Sequence, residues 1–234
     1  MIFRQLFDRQ SCTYTYLLAS AESKEAVIID PVKENVSCYI ELINQLGLKL
    51  VVTIDTHLHA DHITGTGELY QLTNCQIMMG LQTKAEFVSL KFSDNEIINF
   101  NDFRLKAIYT PGHTDDSYCF LLDNKLFTGD TLLIRGTGRT DFQNGCAKSQ
   151  YDSLFNRLLK LPEDTYVYPG HDYNGMTVST IGEEKRFNPR LQVKSCEEYI
   201  AIMNGLNLPK PQKMNIAVPA NLKNGIPEYF EMHN

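Results

Sequence analysis

One heptapeptide constrains this chain more than any other feature: Thr56-His57-Leu58-His59-Ala60-Asp61-His62, set directly after the apolar run 50–54. Four side chains able to hold a metal lie within six residues. In an extended segment His57 and His59 point the same way, because side chains alternate with period two. The chain then turns into a predicted helix over 65–72, which places Asp61 and His62 near its start. Such a segment surrounds a small ion, or a pair of ions, from one side. A lone histidine reads as a hydrogen-bonded core or surface residue. Three histidines and an aspartate this close call for a cation, since neutral imidazole and ionised carboxylate are good ligands for first-row metals.

The same residue types recur in one repeated context. The run 103–110 ends in Pro111-Gly112-His113-Thr114, 125–127 leads into Thr128-Gly129-Asp130, and 165–168 into Pro169-Gly170-His171-Asp172. Each time a strand-like run ends in glycine and then delivers one His or Asp. Glycine lets backbone come close to a crowded site. Five of the six histidines fall in the heptapeptide or directly after one of these glycines, and His233 is the exception.

Strands are predicted over 13–18, 26–29, 50–54, 77–79, 97–100, 103–109, 118–122 and 125–127. Asp30-Pro31 reads as a turn. Val36, Tyr39, Ile40, Ile43 and Leu46 follow helical spacing up to a stop at Gly47. Ser149 and Asp152 begin a helix with Leu154, Leu158 and Leu161 on its apolar face, stopped by Pro162. Thr180-x-x-Glu183 and Ser195-x-x-Glu198 are capping boxes for two more. The tail from about 208, Leu208-Pro209-Lys210-Pro211, cannot be helical and packs extended on the surface. No repeat or linker divides the chain, so one α+β domain over 1–234 is expected, two sheets packed face to face and each covered by helices.

Composition narrows the function classes. With 234 residues, 43% of them hydrophobic, the chain has material for a sizeable core. A net charge of −6 gives no electrostatic footprint for nucleic acid. No apolar run approaches the ~18 residues of a membrane span, and the first residues do not read as a secretory signal. A soluble, intracellular protein is expected. The six cysteines are scattered without a Cys-x-x-Cys pair, and most read as small buried hydrophobes; Cys146, in a Gly-Cys-Ala loop, stands apart.

The ordered set Thr-His-x-His-x-Asp-His, Gly-His-Thr, Gly-Asp and Gly-His resembles the metallo-β-lactamase superfamily. That resemblance implies an αββα sandwich with metal at one edge. Within the superfamily, residues 128–143, Tyr168-Pro169-Gly170-His171-Asp172-Tyr173, Asn188-Pro189-Arg190-Leu191 and Ala217-Val218-Pro219-Ala220-Asn221 resemble the persulfide (sulfur) dioxygenases. The resemblance to that family implies one iron(II) held by His57, His113 and Asp130, with His59, Asp61, His62 and His171 as an outer shell. It implies oxidation of glutathione persulfide by O2 to sulfite and glutathione. It further implies Arg139 and Arg190 as clamps on the substrate carboxylates, Tyr173 as a hydrogen-bond donor to substrate, and His171 beside it in catalysis. Arg135, Lys148, Lys185 and Arg186 also bracket the ligand motifs in this acidic chain.

Sequence alone leaves a rival open: a glyoxalase-II-like hydrolase of glutathione thioesters, in which all seven ligands hold two zinc ions and a metal-bound hydroxide attacks the carbonyl. A nuclease needs an added domain or a basic face, and a metal sensor without catalysis has no feature in its favour. The resemblance also suggests a homodimer. A start directly on the domain fits a bacterial cytoplasmic enzyme, or a processed form in a mitochondrial matrix.

Overall fold

The computed structural model describes residues 1–226, so His233 lies outside the described residues. The chain clusters into two compact units. One comprises Met1–Phe92, Asn99–Arg104 and the residues from Lys210 onward; the other comprises Ser93–Ile98 and Leu105–Pro209.

The first unit is built on a six-stranded sheet in chain order: β1 (Ile2–Asp8), β2 (Thr13–Ala19), β3 (Glu25–Ile29), β4 (Lys49–Ile54), β5 (Gln76–Gly80) and β6 (Leu90–Phe92). The pairs β1/β2 and β2/β3 are antiparallel, and the pairs from β3 to β6 are parallel. Parallel neighbours cannot be joined by a tight turn, so α1 (Val36–Gln45) and α2 (Thr66–Thr73) carry the chain across. Val36, Tyr39 and Ile43 of α1 are buried with Leu17, Ala26, Ile28 and Leu50 in one cluster. Gly47, at φ +61°, ends that helix in the left-handed region that glycine adopts without strain. Between Ile54 and α2 the chain runs irregularly, and this stretch carries the heptapeptide. The strands β1 and β6 were not anticipated from the sequence.

The second unit holds β7 (Ile97–Asn99), β8 (Arg104–Tyr109), β9 (Tyr118–Leu122), β10 (Lys125–Gly129), a small ribbon of β11 (Leu132–Leu133) and β12 (Gly136–Thr137), β13 (Tyr166–Pro169) and β14 (Ser179–Thr180). Its main sheet runs β14-β13-β10-β9-β8-β7. Helix α3 (Ala147–Asn156) and a 3-10 turn (Leu158–Lys160) connect the parallel pair β10 and β13. Leu126 and Val167 from the strands meet Leu154, Leu158, Ile181, Tyr199 and Met203 from α3, the turn, α4 (Ile181–Phe187) and α5 (Cys196–Asn204) in one core.

Both expected N-caps form: Thr180 Oγ1 accepts from Glu183 N at 3.1 Å and Ser195 Oγ from Glu198 N at 3.3 Å. The expectation for α3 needs correction. It starts at Ala147 with Cys146 as its N-cap, not at Ser149, and Arg157 at φ −125° breaks it before Leu158. Residues 206–211 are not helical, as expected, but α6 (Met214–Asn221) follows them in the first unit with Pro219 inside it. A proline this close to the helix end removes one hydrogen bond rather than breaking a long ladder. Among the described residues no helix is long and apolar enough to cross a membrane.

Candidate metal centre

In the first unit, β3 and β4 end side by side, and Asp30 N donates to Ile54 O at 2.9 Å. Asp30 is held at φ +51°, a conformation costly for a residue with a side chain, and its carboxylate organises the heptapeptide. Oδ1 accepts from Thr56 N at 2.7 Å and from His59 Nε2 at 3.1 Å, and Oδ2 accepts from the Thr56 hydroxyl at 2.9 Å. That hydroxyl has one proton and gives it to Asp30. It must therefore accept from His57 Nδ1, 2.9 Å away, so Nδ1 carries the proton and Nε2 keeps its lone pair. The opposite tautomer follows at His59, whose Nε2–H is spent on Asp30. Its Nδ1 is a buried lone pair with no hydrogen-bond partner. Asp30, read from sequence as a turn residue, thus sets the tautomers of two candidate ligands.

The three imidazoles crowd together, with ring centroids 4.2 Å apart for His57 and His59 and 4.4 Å apart for His59 and His62. His62 Nδ1 donates to Asp61 Oδ2 at 2.8 Å. Burial pulls the His59 pKa down, but the carboxylates of Asp30, Asp55 and Asp61 lift it to about 9. Burial lifts Asp55 to about 7, against the neighbouring His59. A doubly protonated His59 would bury an Nδ1–H with no acceptor, whereas a metal cation at that atom meets the same acidic field with a lone pair. The donor atoms of His59, Asp61 and His62 all lie within 4.8 Å of one another, as do those of Asp30, Asp55 and His59.

The second unit brings three more of the expected residues together. Gly129, at φ +47°, turns the chain out of β10 and delivers Asp130. His171 Nδ1 donates to Asp130 Oδ1 at 2.6 Å. The close approach depends on Gly170, where a Cβ would stand 2.8 Å from that oxygen. His113 Nδ1 is 2.7 Å from the carbonyl oxygen of Arg139, which can only accept, so Nδ1 carries the proton and Nε2 is basic. That nitrogen is 3.6 Å from Asp130 Oδ2. The gap is too long for a hydrogen bond, yet it suits two ligands of one ion, which stand roughly 3–3.5 Å apart at metal–ligand bonds of about 2.1 Å. The donor set fits a metal cofactor.

Residues 88–171 match the metallo-beta-lactamase superfamily. The chain is 50% identical over 229 residues to the mouse protein "Persulfide dioxygenase ETHE1, mitochondrial", covering 97% of this chain and 89% of that one. The chain belongs to the persulfide dioxygenase family. A crystal structure of ETHE1 from Myxococcus xanthus agrees with a TM-score of 0.94 at 48% identity, covering 97% of this chain and all of that one. The fold is the metallo-beta-lactamase fold. A hydroxyacylglutathione hydrolase of Francisella philomiragia, of the rival class, is 31% identical over 92% of this chain. The persulfide dioxygenase reading is favoured over the thioester hydrolase.

The basic residues of this persulfide dioxygenase sort themselves by partner. Arg139 donates from Nε and Nη2 to both Asp141 oxygens at 2.6 and 2.8 Å. It also donates to Pro209 O at 2.6 Å and Leu208 O at 3.2 Å, and it lies over the Phe142 ring. A fork so fully engaged is a strut for the tail, which weighs against the clamp that its motif implied. Arg135 pairs with Glu183 and Glu184, and Lys185 and Arg186 pair with Glu163. Arg190 differs. Its guanidinium is half-buried and hydrogen-bonds to Thr137 O and Oγ1, with no carboxylate partner among the described residues. Burial accordingly pulls its pKa down. Tyr173 is exposed, with its ring stacked parallel to His171 at 6.2 Å. Cys146 is exposed at the start of α3, where hydrogen bonds from Ser149 hold its thiol pKa low.

Proposed function

We propose that this chain is an iron-dependent dioxygenase acting on glutathione persulfide, with His57, His113 and Asp130 holding one iron(II). In the balanced reaction, glutathione persulfide, O2 and water give glutathione, sulfite and two protons. The near-half identity to a named persulfide dioxygenase over almost the whole chain supports it most directly. Iron(II) held by these two imidazoles and one carboxylate would supply the one-electron chemistry that O2 requires and side chains lack.

The protein's own groups do the rest. Asp30, through Thr56, holds His57 with Nε2 basic, and the Arg139 carbonyl does the same for His113. His171 fixes one oxygen of Asp130 and leaves the other to the metal. His59, Asp61 and His62 complete the outer shell. Tyr173 presents an exposed hydroxyl beside His171 as a donor to substrate. Arg190 is the carboxylate clamp, because a half-buried cation without a counter-charge is stabilised when an anionic substrate supplies one. The proposal extends to a homodimer without membrane or nucleic-acid partners, in a bacterial cytoplasm or in mitochondria.

Elemental analysis of protein purified without added metal, with oxygen uptake on adding glutathione persulfide, tests the reading. It expects about one iron per chain and rapid oxygen consumption. Two zinc ions per chain and no oxygen uptake would sink it and restore the thioester hydrolase. Hydrogen bonds to charged groups are each worth about 1.5–3 kcal/mol, so Arg190→Ala should raise KM on the order of tenfold to hundredfold with metal content unchanged. Arg139→Ala should instead lower the thermal midpoint. Steady-state kinetics on both variants separates clamp from strut, and equal KM values for Arg190→Ala and the parent would remove Arg190 from the site.

A further inference from the structure

We infer that Asn221, at the end of α6, is a positioning residue for the metal-binding histidine segment; the inference rests on the metal reading above. The segment between Ile54 and α2 has no helix or strand beyond an isolated bridge of Thr64 with Val32, so most of its backbone groups take their partners from elsewhere. Asn221 supplies three of them. Its Nδ2 donates to His59 O at 2.9 Å and His62 O at 2.8 Å, and its Oδ1 accepts from Thr64 N at 2.9 Å. Both amide protons and the amide oxygen are thereby used, and the side chain is 2% exposed. One planar amide thus fixes the spacing of His59, His62 and the entry to α2.

The amide is itself held from behind. Glu86 N donates to Leu222 O at 2.6 Å and Gly67 N to Asn224 O at 2.9 Å, so the residues after Asn221 are tied to the same unit. Gly225, at φ +69°, approaches so closely that a Cβ there would stand 2.6 Å from Thr64 O. The tail is bolted to the unit independently of the Asn221 side chain, whose hydrogen bonds go to the histidine segment. Removing the amide should leave the tail in place while the carbonyls of His59 and His62, buried and unmatched, pull the segment toward other partners.

Outer-shell partners of metal ligands typically contribute about 10–100-fold in metal affinity; Asn221 acts one step further out, through the backbone of outer-shell His59 and His62, so its effect should lie at the low end. The experiment measures Co(II) affinity by chelator competition, with the visible absorption bands of the bound ion as a signature of coordination geometry. The proteins are the full-length parent, Asn221→Ala, the milder Asn221→Ser and the control Asn224→Ala. The control removes another tail amide, the one donating to Glu86 O, which does not touch the histidine segment. Both Asn221 variants should bind Co(II) about tenfold more weakly with shifted bands. Asn224→Ala should lower the thermal midpoint yet keep the parent's affinity and bands. Parental binding by folded Asn221→Ser, or equal weakening by Asn224→Ala, would overturn the inference. A parent that bound no Co(II) at all would instead sink the metal reading on which it stands.

Discussion

Asp130→Ala should yield a folded protein that retains less than roughly a tenth of the parent's metal and no measurable oxygen uptake. Binding free energies of structural metal sites, roughly 10–16 kcal/mol, divide to about 3 kcal/mol per ligand, which is more than a hundredfold in affinity. Asp130 should exceed that average. It is the carboxylate of the proposed ligand set, and its other oxygen is already fixed by His171 Nδ1 at 2.6 Å. His113 Nε2, 3.6 Å from Oδ2, is too far to hydrogen-bond to it, so the bond to His171 is the one that deleting the carboxylate costs the metal-free protein. Metal content should therefore collapse, and the metal-free form should also lose a few degrees of thermal midpoint, since buried His171 Nδ1 loses its acceptor, a cost of about 1–3 kcal/mol. Asp130→Asn, which can still accept from His171 without the charge, should fall between. Full metal retention by Asp130→Ala, measured by elemental analysis, would exclude Asp130 as a ligand.

The candidate ligands were legible because metal sites concentrate unusual residues at short, repeated spacings. His57, His59, Asp61 and His62 announce themselves in one heptapeptide, and Gly112, Gly129 and Gly170 each flag the ligand that follows. What holds those ligands was not legible. Asp30 looked like a turn residue beside proline, and its function lies in three hydrogen bonds to residues 56 and 59 that only the pairing of β3 with β4 creates. Asn221 belongs to a helix hidden by Pro219, and its partners lie far off in sequence. Arg139 shows a different case: its motif implied a substrate clamp, and its fork is engaged by Asp141 and by the carbonyls of Leu208 and Pro209. The acidic residue two positions on, Asp141, was a visible signal that its fork had a partner of its own.

The fold divides along similar lines. Strands such as β2 and β4, buried along most of their length, are carried by hydrophobic runs that any pattern reading finds. β1 has a largely half-buried pattern and β6 spans three residues, so neither has a period to detect. Helix α3 was misplaced at its start because Ser149 is a good capping residue by type. The observed cap position, Cys146, is fixed by its backbone bond to Gly112 O at 2.8 Å, a tertiary contact. That bond ties α3 to the loop carrying His113, so the placement of the helix and of the ligand are one event.

Gly138→Ala should damage both stability and metal binding, although residue 138 touches neither substrate nor metal in the proposed scheme. Space decides it. A Cβ at Gly138 would stand 2.0 Å from Asp130 O and 2.9 Å from both Cγ and Nδ1 of His113, so one methyl group pushes on two ligands at once. Neither neighbour can give way cheaply. Gly138 N donates to Asp130 O at 2.8 Å, Gln150 Nε2 donates to Gly138 O at 3.0 Å, and the Tyr199 hydroxyl donates to Gln150 Oε1 at 2.8 Å. Gln150 and Tyr199 are fully buried, and Tyr199's hydroxyl pKa is pushed up by that burial to about 12. Overpacking of this kind costs about 3 kcal/mol or more where backbone must move, which for a chain of this size lowers the thermal midpoint by roughly 6–12 °C. Gly136, two residues earlier and on the short ribbon itself, is the control: a Cβ there meets only Leu133 Cβ, at 3.9 Å. Gly136→Ala should shift the midpoint by no more than about 2 °C and keep its metal. Calorimetry and elemental analysis on the pair decide the matter. Equal behaviour of the two alanine variants would mean that crowding at residue 138 does not set the positions of His113 and Asp130. A Gly138 variant that keeps its midpoint but loses metal would show that the ribbon yields and the ligands move with it.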